Sequence, residues 1–290
     1  MMWIDSHCHL NAPEFDVDRL QVIARAKSAG VRWMVIPAVA PEHFDIVMTL
    51  AHKEKQPYAL GIHPLWMQSD GGGKSQKNHD QQWINALATK LKQCENDPYL
   101  VAVGEIGLDY FMPDLNAGLN ARHNAPRQWF FYIEQLKLAQ KFGLPVILHV
   151  RRSADMLLKG LRQVGGIEGI VHAFNGSKQQ TQQFIALRFK LGFGGTATFE
   201  RASQVRHLLK TVPMSSIVLE TDAPDMLPHW IYKTVKERVQ GKSQGRNEPA
   251  ELVAIAKEVA VLRGVSLGDL ACITVENTMQ ALPKLQMIKS

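Results

Sequence analysis

The 290-residue chain predicts an α/β fold, a (β/α)8 TIM barrel, as one domain over residues 1–290. Three observations carry that expectation. Eight short apolar runs alternate with amphipathic segments, the order of a parallel sheet joined by right-handed crossovers. The runs, such as VAVG, PVILH and SIVLE, are almost continuously apolar, as strands covered on both faces must be. Six of the polar residues closing these runs are His or carboxylates, and a barrel brings strand carboxyl ends to one face. An open doubly wound sheet is the competing architecture, but no Gly-rich phosphate fingerprint follows the first run.

Taken in order, strands are expected at residues 3–6, 33–39, 58–62, 100–105, 145–149, 169–173, 189–194 and 216–222. Each is a short run of apolar residues, too brief for a helix. Helices are expected where apolar residues recur every three to four positions: 18–29, 43–53, 81–93, 127–142, 153–164, 178–187 and 202–211. A long helix at 249–263 and a shorter one after Ser266, to about Ala281, complete the set. Ser177 is a capping residue before one helix, and Gly143 a terminator after another. Residues 68–80 carry three consecutive glycines and read as a mobile loop. Residues 228–246 read as a basic loop after the eighth strand, with Lys233, Lys236, Arg238, Lys242 and Arg246.

Bulk composition narrows the class of protein. At 46% hydrophobic residues the chain can bury a large core. A net charge of +6 gives weak attraction to polyanions, with both signs well mixed along the chain. Cys8, Cys94 and Cys272 are odd in number and far apart, which argues against a disulfide framework and for a reducing compartment. The chain enters a strand pattern at once, so no signal peptide is expected. No apolar run approaches the roughly 20 residues that span a bilayer. A monomeric cytoplasmic enzyme with no membrane association is the expectation.

The chemistry lies in six candidate metal ligands: His7, His9, Glu105, His149, His172 and Asp222. Imidazole and carboxylate together suit one or two divalent cations, Mg²⁺, Mn²⁺ or Zn²⁺. His7 and His9 are two apart, so strand geometry points both rings the same way and Cys8 the other. Asp5 shares their parity and is available to orient them. Glu105 can bridge two ions through its two oxygens, which one imidazole cannot do. His149 and His172 close the fifth and sixth strands and, with Glu105, would complete a second position. Asp222 ends the eighth strand, which in a closed barrel lies next to the first, beside His7 and His9. A carboxylate there can bind an ion and take a proton from water whose pKa the metal lowers from about 15.7 to about 7. Asp222 and Glu105 are therefore the candidate catalytic residues, and Glu220, of the same parity as Asp222, a supporting one. His63, in GIHP, and Arg151, just beyond His149, are candidate phosphate-facing groups.

As an ordered set these motifs resemble the TatD family of metal-dependent deoxyribonucleases, within the amidohydrolase-like barrels. The motifs are DSHCHL (5–10), GIHP (61–64), VGEIGLDY (103–110), PVILHVR (145–151), HAFNGS (172–177), GFGGT (192–196), LETDAP (219–224) and RNEP (246–249). The resemblance spans nearly the whole chain, and is closer to a less characterised bacterial branch than to the namesake enzyme. It implies that His7, His9, Glu105, His149, His172 and Asp222 bind one or two divalent cations. It further implies phosphodiester hydrolysis, most often from the 3′ end of DNA, with a single-stranded end as the favoured partner. Val150, Ala173 and Asn175 depart from the family's usual residues at the pocket rim, and the glycine-rich insert at 68–80 is a further departure. These bear on substrate preference rather than metal binding. Many sister hydrolases carry a bridging Lys at the end of strand four, where this chain has Glu105.

Two other functions fit the same residues less well. One is a metal-dependent hydrolase of a small ester, lactone or amide. The other is a non-catalytic protein with a structural metal, although structural sites are closed by their ligands and this set is spread over several strand ends.

Overall fold

The computed structural model describes residues 1–67, 74–111 and 125–288. Its strands are β1 (Trp3–Asp5), β2 (Val31–Met34), β3 (Ile36–Pro37), β4 (Tyr58–Leu60), β5 (Leu100–Asp109), β6 (Val146–Arg151), β7 (Gly169–Val171), β8 (Lys190–Phe193) and β9 (Ile217–Leu219). Its α-helices are α1 (Arg19–Ser28), α2 (Phe44–Glu54), α3 (Lys74–Gln93), α4 (Ala125–Phe142), α5 (Ala154–Val164), α6 (Lys178–Ala186), α7 (Ser203–Thr211), α8 (Val235–Val239), α9 (Leu252–Arg263) and α10 (Leu267–Ala281). Every expected strand and helix has a counterpart, with shifted ends. Among the described residues no helix is long and apolar enough to cross a membrane.

Three departures from the expected elements have local causes. The second expected strand splits into β2 and β3, because the chain changes partner at Val35, β2 pairing with β1 and β3 with β4. Of the expected loop at 68–80, residues 68–73 lie outside the described residues, while Lys74 onward is the first part of α3. No Gly or Pro interrupts the chain there, and the Asp80 carboxylate accepts three hydrogen bonds from the Arg127 guanidinium of α4. Within the expected basic loop at 228–246 lies α8, started by a capping box in which Thr234 and Glu237 satisfy each other's backbone N–H.

The chain folds as two compact units, neither of them one continuous segment. The first comprises Met1–Ile36, His172–Asn175 and Lys190–Gln280. In it β1 runs parallel to β2, with Trp3 opposite Val31 and Ile4 opposite Trp33. On its other side β1 meets the end of β9: Ser6 N donates to Leu219 O, Asp222 N to His7 O and His9 N to Ala223 O. β8 runs parallel to β9, with Gly192 opposite Val218. The core under these strands includes Trp3, Phe15, Met34 and Phe193, all at most 1% exposed.

The second unit comprises Pro37–Val171, Gly176–Phe189 and Ala281–Ser290. Here β4, β5, β6 and β7 pair in that order, all parallel. All ten residues of β5 are buried, as its apolar run requires. Two glutamines of α4, seven positions and two turns apart, reach the strand ends. The Gln135 amide exchanges two hydrogen bonds with the backbone of Ile62, and the Gln128 amide does the same with Asp109. These side chains continue the hydrogen-bonding of β4 and β5 where the ladder has run out, and so fix the backbone at His63 and Asp109.

Candidate active site

In the first unit the residues after β1, His172 just beyond β7 and the segment after β9 bring His7, His9, His172 and Asp222 together. His7 Nε2 lies 3.3 Å from His9 Nε2, and both are 3.6 Å from Asp222 Oδ1. His172 Nε2 is also 3.6 Å from that oxygen, and its ring stacks on His7 with centroids 3.7 Å apart. Three imidazole nitrogens therefore face one carboxylate oxygen, a donor set that fits a divalent cation. His7 is fully buried, whereas His9 and Asp222 are 18% and 16% exposed, so the cluster opens on their side. Asp222 has φ +54°, in the left-handed region that aspartate tolerates better than most residues.

Buried carboxylates brace this cluster from behind. Glu220 Oε1 accepts from Ala173 N and lies 3.1 Å from His172 Nδ1, on the far side of that ring from Asp222. Gly192 makes room for it, since a Cβ there would run into the Glu220 carboxyl group. Asp5 accepts from the backbone and hydroxyl of Thr221 and from His7 N, joining the two ligand segments. Burial pushes Asp5 up to about 7, although the Thr221 and His7 hydrogen bonds pull it back. Cys8, between the two histidines, is buried, and burial raises its thiol further from the thiolate a metal would need.

The second unit holds another cluster, made of His63, Glu105 and His149. Glu105 Oε1 is 3.0 Å from His149 Nδ1 and 3.4 Å from His63 Nε2. One ligand atom from each of the three lies within 4.8 Å of the others, again a fit for a divalent cation. His149 is gripped from its other side by Asp109, whose Oδ2 is 3.0 Å from Nε2. Burial alone would lower the His149 pKa, but its hydrogen bonds to the Asp109 and Glu105 carboxylates outweigh it and leave it raised. For Asp109 burial acts upward, and its contacts with His149, Phe111 N and Arg151 bring it net downward. His63 is lowered, chiefly by burial, which favours the neutral ring that a ligand must be.

Three of these placements differ from the sequence expectation. His172 was expected to share a position with Glu105 and His149, but its ring stacks on His7 and faces Asp222, so it belongs to the first cluster. The sequence places His63 among the phosphate-facing groups, yet it lies with the candidate ligands Glu105 and His149, its Nδ1 accepting from Leu65 N as the chain turns at Pro64. Asp109 was overlooked as a partner, although it shares the parity of Glu105 four residues earlier in the same strand. Arg151 is half-exposed: its guanidinium covers the Phe111 ring at 4.0 Å and reaches to 4.0 Å from Asp109.

Comparison with known proteins extends these findings. Residues 4–283 match the family model described as TatD related DNase. The uncharacterised metal-dependent hydrolase YjjV of Escherichia coli is 40% identical over 77% of this chain and 80% of its own. The 3′-5′ ssDNA/RNA exonuclease TatD of a Rahnella species is 33% identical, covering 93% of this chain and 94% of its own. The crystal structure of the E. coli TatD homologue YjjV covers 97% of this chain and 98% of its own, at 33% identity and a TM-score of 0.81. The fold class is accordingly α/β, of the (β/α)8 barrel type. With its His and carboxylate clusters, the chain belongs to the TatD-related DNase family of metal-dependent hydrolases.

Proposed function

We propose that this protein is a deoxyribonuclease that removes nucleotides from the 3′ end of single-stranded DNA, using one or two divalent cations. The observation that carries the reading is the pair of clusters, His7, His9, His172 and Asp222 in one unit and His63, Glu105 and His149 in the other. A similar protein is named as a 3′-5′ ssDNA/RNA exonuclease, which supports a nucleic acid as the substrate class. A divalent cation held by these residues would supply charge neutralisation at the phosphate and a more acidic water.

The chain's own residues divide the remaining work. His7, His9 and His172 are the neutral ligands, and Glu220 and Asp5 hold them in place. Asp222, partly open to solvent, is placed to accept the proton of the attacking water. Glu105 and His149 hold the other position, with Asp109 fixing the His149 ring and His63 as an added ligand. Arg151 faces the phosphate at the rim.

Metal-depleted protein, reloaded separately with Mg²⁺, Mn²⁺ or Zn²⁺, is to be offered labelled single-stranded and duplex DNA beside a panel of esters and lactones. Release of mononucleotides from single-stranded 3′ ends is expected with at least one ion. Hydrolysis of esters with DNA left intact would overturn the reading in favour of a small-molecule hydrolase.

A further inference from the structure

A cavity of about 590 Å³ in the first unit has no part in the chemistry described above. Its lining includes Asn175, three residues beyond His172, and Met226, four beyond Asp222. At no more than about 3.6 Å of chain per residue, Asn175 lies within roughly 11 Å of His172 and Met226 within roughly 14 Å of Asp222. The cavity lining therefore starts within roughly 11–14 Å of the metal-ligand candidates His172 and Asp222. Its volume lies in the range that takes a small organic ligand, about 300–1,000 Å³.

The walls select what can enter. Phe199 and Tyr232 meet edge to face, centroids 5.6 Å apart and planes at 81°. The guanidinium of Arg201 lies over both, 5.1 Å from the Phe199 centroid and 5.7 Å from that of Tyr232. Arg25, Arg127, Arg188 and Arg246 all face carboxylates. Among the described residues no carboxylate pairs with Arg201, which is exposed. An aromatic corner topped by an un-neutralised planar cation suits a ligand with a flat ring and a negative charge. Asn175 and Gln204 add side-chain amides, which can donate and accept.

We propose that this cavity is a stacking subsite for one nucleotide of a single-stranded nucleic acid. The base lies against Phe199, Tyr232 and the guanidinium plane, and the adjoining phosphate meets Arg201. Such stacking is tolerant of sequence, because every base offers a π-face, so the subsite would grip a strand without reading it. The assignment rests on the nucleic-acid reading above, and names where a nucleotide near the scissile end is held.

The test is binding of a short phosphorothioate oligothymidylate to the full-length protein with Mn²⁺ present, followed by fluorescence anisotropy, beside an abasic strand of equal length. Tyr232→Ala is expected to weaken oligothymidylate binding roughly 5- to 100-fold, the effect of removing one base-stacking ring. Tyr232→Phe should bind as the wild type does. The abasic strand should bind the wild type more weakly and be nearly indifferent to Tyr232→Ala. Arg201→Gln, at an exposed position where folding is safe, should weaken both strands and flatten the salt dependence by roughly 0.7 log units per decade. Equal losses for both strands in Tyr232→Ala, or wild-type binding in Tyr232→Ala and Arg201→Gln alike, would overturn the subsite while leaving a nuclease in place. Failure of the wild type to bind either strand would overturn the nucleic-acid reading and the subsite together.

Discussion

Asp109 holds His149 from the side opposite Glu105, its Oδ2 lying 3.0 Å from His149 Nε2 while Glu105 Oε1 lies 3.0 Å from Nδ1. A carboxylate on one ring nitrogen fixes the tautomer and the ring plane, so that the other nitrogen is presented as a lone pair. This contact makes Asp109 a candidate positioning residue for the His149 ring. Asp109→Asn is expected to weaken binding of Zn²⁺ or Mn²⁺ about 10- to 100-fold, with the thermal transition of the metal-free protein little changed. Calorimetric titration of the metal-depleted variant checks this. Wild-type affinity would mean that packing alone orients the ring.

Asp222→Asn keeps the shape of the side chain and removes its basicity. Turnover on 3′-labelled single-stranded DNA is expected to fall by roughly 100- to 10,000-fold at saturating metal, the usual worth of a general base. Near-wild-type turnover under those conditions would exclude Asp222 as the base. Circular dichroism should show the same fold in both proteins.

The α4 clamps make a prediction about stability. Gln135 is fully buried and satisfies both the N–H and the C=O of Ile62, the residue before His63. Gln135→Leu would leave those two backbone groups without their partner, each at about 1–3 kcal/mol. A drop of that order in denaturant unfolding is expected, with weakened metal binding through a displaced His63. Unchanged unfolding would show that the backbone at Ile62 finds another partner.

What the sequence made legible follows from period and parity. Near-continuous apolar runs located the strands. The two-residue spacing of His7 and His9 gave their common direction, and closure of β9 onto β1 put Asp222 beside them. Contacts that depend on tertiary geometry were not legible. Asp109 was missed because β5 continues four residues past Glu105 with no break in its hydrophobic pattern. Gln128 and Gln135 look like solvent-facing positions on a helix until their amides are seen against strand ends. His63 joins Glu105 and His149 only because the chain turns tightly at Pro64. α8, five residues long, has too short a pattern to stand out, and only Thr234 and Glu237 hint at it.

Asp18 sits between Arg246 and Arg25, whose hydrogen bonds hold its carboxyl at about 2, below the usual 3.8. Its folded value is depressed, so its contribution is complete above about pH 4 and fades as pH falls toward 2. Wild type should therefore melt above Asp18→Asn near neutral pH, and the gap should close between about pH 4 and pH 2. The pair is partly solvent-exposed, so the gap is expected to be small and to shrink with added salt. A gap that is constant with pH would assign the loss in the variant to packing.

Arg246 also bears on which residues would hold the proposed nucleic-acid strand. Arg246 is one of five basic residues in the segment 228–246, but it is ion-paired to Asp18 and lies over Phe15, while Lys242 pairs with Glu237. Lys233, Lys236 and Arg238 remain, the last two exposed on α8. Each phosphate contact releases counterions, and for a single strand costs roughly 0.7 log units of affinity for every tenfold rise in salt. Replacing all three by Gln is expected to weaken oligonucleotide binding at low salt and to flatten that slope by up to about 2 log units per decade. Titrations at several KCl concentrations read the slope directly. An unchanged slope, with binding weakened equally at every salt concentration, would mean that this segment shapes the active site without touching the backbone of the strand.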